Sequence, residues 1–210
     1  MDITKSGYTI IDNFLPVNIA EELYKIYSKE ENWQRHDQYR KDHYKHVFKF
    51  NRPELPKESE SYRAKFWRSD ELKQNKEVNK IYETEFVHRI EKNIKSPVTS
   101  HELSCMKLTQ GDYYRTHIDG WQGKYNSIYY VNKNWTWDWG GLLHVVEDKK
   151  DGYFETILPK FNRLVILHND KFKCPHFVSP VNEYAINPRY TLASWINLKK
   201  EEIDPWLQTR

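Results

Sequence analysis

Tyr114-Arg115-Thr116-His117-Ile118-Asp119-Gly120 is the stretch on which the reading of this 210-residue chain turns. Its flanks favour extended backbone, and two of its side chains are metal ligands by chemistry. On a strand, residues i and i+2 face the same way, about 6.5 Å apart along the chain. The His117 imidazole and the Asp119 carboxylate can then reach one ion. Two ligands leave that ion under-coordinated, so a third should come from a distant strand.

A His-x-Asp triplet alone carries little information, and the chain holds a second, His168-Asn169-Asp170. Only His176 follows the second, too close to return from another strand. The first is followed by His144, His168 and His176. His176 opens His-Phe-Val-Ser-Pro-Val, whose alternation suits a strand, far enough downstream for several strands to intervene. His144, inside Leu-Leu-His-Val-Val, reads equally as a core or surface histidine. Two histidines and one carboxylate with open positions make the facial triad that holds non-haem Fe(II).

Composition bounds the rest. With 33 basic and 30 acidic residues the formal charge is +3, too balanced for a nucleic-acid footprint, so no nucleic-acid partner is expected. Mean hydropathy is −0.92, and 15 Tyr, 8 Trp and 9 Phe supply the burial that aliphatic residues do not. No apolar run approaches 18 residues, so no membrane partner is expected. The start lacks a basic stretch followed by an apolar one, which argues against a signal peptide. Cys105 and Cys174 are too few for a disulfide framework and read as small buried hydrophobes, which fits a cytoplasmic setting. The length fits one domain.

Along the chain, residues 7–12 read as a short strand and Pro16 as the opening of a helix carrying Ile19, Leu23, Ile26 and Tyr27. Residues 30–70 are charged and aromatic, with His36, Asp37, Asp42, His43 and His46 clustered. A polar surface segment is expected there rather than a second metal site. Val47–Phe50 reads as a strand, Pro53 and Pro56 as a loop, and the whole as a region covering substrate. Ser69-Asp70-Glu71 begins a second helix with an apolar stripe from Val78 to Ile94, ended by Pro97. From residue 98 the pattern becomes eight short apolar segments: 102–108, 113–118, 127–131, 142–146, 155–158, 164–167, 176–178 and 190–197. That run argues for a β-sandwich or jelly roll. Arg189 stands at the mouth of the last segment, where a guanidinium is costly unless its charge meets a partner. It can grip a carboxylate through two parallel hydrogen bonds or join a salt bridge.

The ordered blocks Gly111–Asp119, Ile128–Trp135 with Gly140-Gly141-Leu142, Pro159–Leu167, His176–Val181 and Arg189–Trp195 resemble the Fe(II)/2-oxoglutarate-dependent oxygenases. The likeness is to the prolyl 4-hydroxylase-like branch, which includes the hypoxia-inducible-factor prolyl hydroxylases. It covers residues 101–198 and, more loosely, 8–30. Leu108 and Ala193 depart from the pattern at positions where the family often carries hydroxyl groups. The resemblance implies an α+β, mainly β fold: a double-stranded β-helix, or jelly roll, with packing helices from the N-terminal half. Residues 1–210 would form one oxygenase domain. Within it, 1–97 would hold the N-terminal strand, helices and covering region, 98–198 the jelly-roll core, and 199–210 a tail.

It also implies roles. His117, Asp119 and His176 would ligate Fe(II). Arg189 and Tyr130 would bind 2-oxoglutarate. Tyr114, Arg115 and Trp195 would lie on the substrate side, and Gly140-Gly141 would make a tight turn. The reaction expected is hydroxylation of a C–H bond by O2, with succinate and CO2 as coproducts and ascorbate as reductant. A carboxylate at 119 favours this over halogenation. A prolyl residue in a peptide or protein is the first expected substrate, and a free amino acid or other small molecule the second. A jelly-roll module that keeps a metal without turnover has no use for a dicarboxylate anchor. A zinc hydrolase would want a third neutral ligand and a general base.

Overall fold

Inward and outward positions alternate along most of the strands, and this alternation organises the molecule. The computed structural model describes residues 7–40, 62–119, 124–146, 154–169 and 174–198. It contains β1 (Tyr8–Asp12), α1 (Val17–Lys29), β2 (Gln34–Arg40), β3 (Tyr62–Arg68), α2 (Asp70–Gln74), α3 (Lys76–Ile81) and α4 (His88–Ile94). The strands of the second half are β4 (Val98–Leu108), β5 (Tyr113–His117), β6 (Tyr125–Tyr130), β7 (Leu143–Val146), β8 (Phe154–Ile157), β9 (Arg163–His168), β10 (His176–Val178) and β11 (Arg189–Leu198). All eight segments expected after residue 98 are strands.

The strands form one curled antiparallel sheet in the order β1-β9-β6-β11-β4-β3-β5-β10-β7-β8, with β2 pairing β3. β3 is shared between the two arms: Trp67 and Arg68 pair with β4, and Ala64 and Lys65 pair with β5. This is the expected jelly roll.

The helices cover the outer face of one arm. Tyr129, Leu164, Ile166, Leu192 and Ile196 point outward into a core with Leu23 and Tyr27 of α1 and with Val78, Ile81 and Phe86. Phe14 and Tyr129 both pack on Phe86, at ring-centroid separations of 5.1 and 4.8 Å. The alternate residues Ile128, Tyr130, Val165 and Leu167 point into the curl and form a second core with Phe66, Leu108, Leu143 and Val178. With both faces covered, every residue of β6 is buried, Tyr125 and Tyr129 in one core and Ile128 and Tyr130 in the other.

Pro16 sits one residue earlier than expected, at the cap position before α1. Ser69 caps α2 as expected, its side chain accepting from the Leu72 amide at 3.0 Å. The second apolar stripe is continuous but not uniform: Tyr82–Val87 is a π-helical turn between α3 and α4. Its Tyr82 hydroxyl donates to Ser194 Oγ at 2.8 Å, and Ser194 in turn contacts Ser127 Oγ at 2.5 Å. A buried hydroxyl chain thus ties the helices to β11 and β6. Lys95 closes α4 in the left-handed conformation. Cys105 and Cys174 are both buried, as expected. Among the described residues no helix is long and apolar enough to cross a membrane.

One expectation is corrected. Residues 34–40 and 62–68 are not an irregular surface segment but an antiparallel strand pair, in register from Gln34↔Arg68 to Arg40↔Tyr62. His36 and Asp37 of the histidine-aspartate cluster lie on β2 and diverge. His36 stacks on Phe66, and Asp37 accepts from Arg63. Asp42, His43, His46, the expected strand 47–50, Pro53 and Pro56 lie outside the described residues.

Two positions are expected to be intolerant. Asn162 is left-handed (φ 57°) and buried. Its side chain accepts from the Leu15 amide and the Tyr129 hydroxyl and donates to the Leu15 carbonyl, at 2.8, 2.9 and 2.8 Å. Asn162→Ala strands these groups and should cost about 3 kcal/mol or more, lowering Tm by roughly 6–12 °C in a thermal melt. Gly140 has φ 63°, and a Cβ there would meet the Pro180 carbonyl oxygen at 2.1 Å. Gly140→Ala should therefore destabilise by about 3 kcal/mol or more in denaturant unfolding. The tight turn expected at Gly140-Gly141 is thus imposed by close backbone approach.

Candidate active site

β5 and β10 are hydrogen-bonded neighbours with His117 opposite His176. The pairing fixes both imidazoles on the inner face, their ring centroids 4.3 Å apart. Asp119 follows the end of β5. Its two carboxylate oxygens each lie 3.6 Å from a histidine Nε2, Oδ1 from His117 and Oδ2 from His176. These separations are too long for hydrogen bonds, and the ligand atoms all lie within 4.8 Å of one another. The three groups therefore surround a common point.

Their orientation is set by backbone. His117 Nδ1 lies 2.8 Å from the Arg115 carbonyl, and His176 Nδ1 lies 2.9 Å from the Cys174 carbonyl. A carbonyl only accepts, so each Nδ1 carries the proton and each Nε2 presents its lone pair inward. The side-chain amide of Asn126 donates to Asp119 Oδ2. The donor set of two neutral imidazoles and one carboxylate suits Fe(II).

A β-bulge re-aims this strand. His176 pairs with His117 but Val178 pairs with Tyr114, so β5 carries one extra residue between them. Tyr114 and His117, three residues apart, consequently both line the same cavity. Arg115 lies within the bulge and is not among the lining residues. Its carbonyl is what orients His117. Tyr62 meets His117 edge-on at 5.2 Å, and Phe66 stacks on Tyr114 at 5.0 Å. The Tyr114 hydroxyl donates to Met106 Sδ at 3.2 Å, and burial raises its pKa well above the ordinary phenol value.

The cavity has a volume of about 250 Å³ and runs from Arg189 past the three ligands to Trp195. Arg189 is 3% exposed. Its Nη1 donates to Thr191 Oγ1 at 2.9 Å, and its guanidinium carbon lies 4.9 Å from the Tyr130 ring centre. No carboxylate among the described residues pairs with it. Its Nε and the Tyr130 hydroxyl, both buried, have no partner in hydrogen-bond geometry, although the hydroxyl lies close enough to the guanidinium to favour its charge. Burial pulls the pKa of Arg189 down, opposed by Tyr130 and Tyr114, and raises that of Tyr130, opposed by Arg189. A buried cation beside an orphaned hydroxyl is an incomplete anion site, and the residues present fit a dicarboxylate cosubstrate. Leu108 pairs with Arg189 and lines the same cavity.

Residues 102–197 match the family model described as the 2OG-Fe(II) oxygenase superfamily. The matched residues run from β4 to β11 and include His117, Asp119, His176 and Arg189. Among solved structures, this chain is similar to a Pseudomonas putida prolyl-4-hydroxylase, with TM-score 0.62 and 17% identity, covering 94% of this chain and 96% of that one. It is similar to a Trichoplax adhaerens prolyl hydroxylase in complex with a hypoxia-inducible-factor oxygen-degradation-domain peptide fragment, with TM-score 0.56, 19% identity and coverage of 99% and 90%. It is also similar to SnoN, a non-heme α-ketoglutarate-dependent epimerase from nogalamycin biosynthesis, with TM-score 0.58, 11% identity and coverage of 90% and 77%. At these identities the likeness is one of fold. No curated protein matches the chain. The enzyme class that goes with the oxygenase domain is the 2-oxoglutarate-dependent dioxygenases.

Other sequence candidates fall elsewhere in the fold. His144 lies on the opposite face of β7 from the site, stacked on Phe177 at 4.3 Å with Nδ1 3.0 Å from Thr156 Oγ1. His168 packs edge-on against Tyr125, and Asp170 lies outside the described residues. Sequence reasoning missed Asn126 and Thr191. Both had a signal: Asn126 shares a strand face with Tyr130 four residues on, and Thr191 shares one with Arg189.

Proposed function

We propose that this oxygenase hydroxylates a C–H bond of a prolyl residue in a peptide or protein, forming succinate and CO2. In this reading His117, Asp119 and His176 hold Fe(II), and Arg189, Thr191 and Tyr130 take the distal carboxylate of 2-oxoglutarate. The observation that carries it is the buried, carboxylate-free Arg189 beside the orphaned Tyr130 hydroxyl, in one cavity with the three ligands. Iron, when bound, supplies oxygen activation coupled to decarboxylation of the keto acid. Ascorbate would serve as reductant.

The chain's own residues do the rest. The backbone carbonyls of Arg115 and Cys174 hold both imidazoles in the ligating tautomer. Asn126 orients the carboxylate. Phe66, Tyr114, Met106 and Leu143 exclude water from the far wall and offer flat apolar surface of a kind that suits a pyrrolidine ring. Two of the structural neighbours are prolyl hydroxylases by name, one with a peptide bound. A free amino acid or other small molecule is the second reading, because Arg68, Lys73 and Glu102 bring charge to the same cavity. The chain would form one domain, with 98–198 as its core and the preceding residues as its support, in a cytoplasmic setting that keeps Cys105 and Cys174 reduced.

Succinate formation from 2-oxoglutarate with Fe(II) and ascorbate tests the reaction. Wild type should turn over and Asp119→Ala should not, whereas equal inertness of the two sinks the proposal. Incubation with proline-containing peptides and with free amino acids, read as a gain of one oxygen mass, assigns the substrate.

A further inference from the structure

Beyond the ligands, on the side of the cavity away from Arg189, two buried polar atoms stand without partners on neighbouring strands. One is the indole Nε1 of Trp195 and the other is Oδ1 of Asn126. The two residues are directly paired across β11 and β6, and both line the cavity. Asn126 is 3% exposed. Its orientation is settled by chemistry: a carboxylate oxygen only accepts, so the amide must turn Nδ2 toward Asp119 Oδ2 and leave Oδ1 free. An indole N–H only donates. The wall therefore carries one unused donor and one unused acceptor side by side, with no hydrogen bond between them.

Leaving such groups unpaired is costly, so the wall favours an occupant that supplies the complement. We infer that Trp195 and Asn126 read one peptide residue of the substrate: Trp195 Nε1–H donates to its backbone carbonyl, and Asn126 Oδ1 accepts its backbone N–H. In an extended chain a residue directs its N–H and C=O to the same side, as it does in a hydrogen-bonded antiparallel pair. Two adjacent complements on paired strands match that arrangement. Proline has no N–H, so the residue read is a neighbour of the hydroxylated proline. Both reading groups are neutral. Of the other charged groups lining the cavity, Lys73 pairs with Glu102 at 3.7 Å and Arg68 with Asp70 at 3.3 Å. A free zwitterion would surrender its hydration to uncharged dipoles, whereas a peptide group matches them. The inference rests on the proposed prolyl hydroxylation and narrows it to peptide substrates.

The test uses the full chain loaded with redox-inert Mn(II) and 2-oxoglutarate, so that binding is measured without turnover. A library of acetylated, amidated pentapeptides centred on proline is selected for binding. The tightest binder is then remade with each backbone N–H replaced singly by an ester oxygen. In wild type, one ester position flanking the proline should weaken binding by about tenfold, roughly one buried hydrogen bond. Trp195→Phe, which keeps the ring and removes the N–H, should weaken the parent peptide by about three- to tenfold. Free proline should not compete. The inference is overturned if no library member binds, if no ester position costs more than about twofold, or if Trp195→Phe binds the parent as wild type does. In the last two cases the orphaned atoms would be served by water. Succinate release with Fe(II) is measured in parallel. Turnover without ester sensitivity defeats the peptide-reading wall alone, whereas absence of turnover defeats the proposed reaction itself.

Discussion

Arg189→Met is expected to move stability and cosubstrate binding in opposite directions. In the protein without 2-oxoglutarate, the guanidinium is buried with one hydrogen bond, to Thr191, and an Nε that has no partner. Its desolvation is uncompensated by any carboxylate among the described residues. Replacing an uncompensated buried charge by an apolar side chain of similar length removes that penalty, so the unliganded variant should be more stable by about 1–4 kcal/mol. The same change removes the fork that meets the distal carboxylate. Truncating one member of a buried charge pair costs about 2–5 kcal/mol, which corresponds to roughly 30- to several-thousand-fold in 2-oxoglutarate affinity. Thermal melts with and without 2-oxoglutarate read both effects: the wild type should gain Tm on adding it, and the variant should start higher and gain nothing. Arg189→Lys should not restore binding, because an ammonium lacks the planar fork. A variant that melts below wild type in the absence of 2-oxoglutarate would mean that the guanidinium already has a counter-charge, and the anion-site assignment would be lost.

His117→Ala is expected to abolish turnover and iron retention together. The remaining Asp119 and His176 offer two ligands, and His176 comes from a strand of only three residues. Loss of a hydrogen bond that merely supports a ligand weakens metal sites by roughly 10- to 100-fold, and loss of a ligand should exceed that. Metal content after dialysis and succinate formation should both fall to background, with far-UV circular dichroism unchanged. Retained iron together with retained turnover would place the metal elsewhere.

The eight strands after residue 98 were legible because each is a short apolar run bounded by turn residues, and burial on both faces demands such runs. The cluster of His117, Asp119 and His176 was legible as residue types in order. Arg189 was legible because a charge at the head of an apolar strand needs a reason. β2 was not, since Gln34-Arg35-His36-Asp37-Gln38-Tyr39-Arg40 is polar on both faces and owes its strand to pairing with β3. β3 carried a readable alternation, Tyr62, Ala64 and Phe66 inward against Arg63 and Lys65 outward, but its charged surroundings concealed it. The bulge in β5 could not be read at all. Strict alternation puts Tyr114 and His117 on opposite faces, and only the partner strand reveals the inserted residue. The orphaned atoms of Trp195 and Asn126 are likewise properties of a register between strands about 70 positions apart.

β3 hydrogen-bonds to β4 along one stretch and to β5 along another, so the outer wall and the histidine-bearing strand share a seam. Peeling that seam would strip β5 of backbone support while uncovering the cavity. Exchange of amide hydrogens in β3 and β5 should therefore report a single opening event, one that unseals the cavity and loosens His117 together.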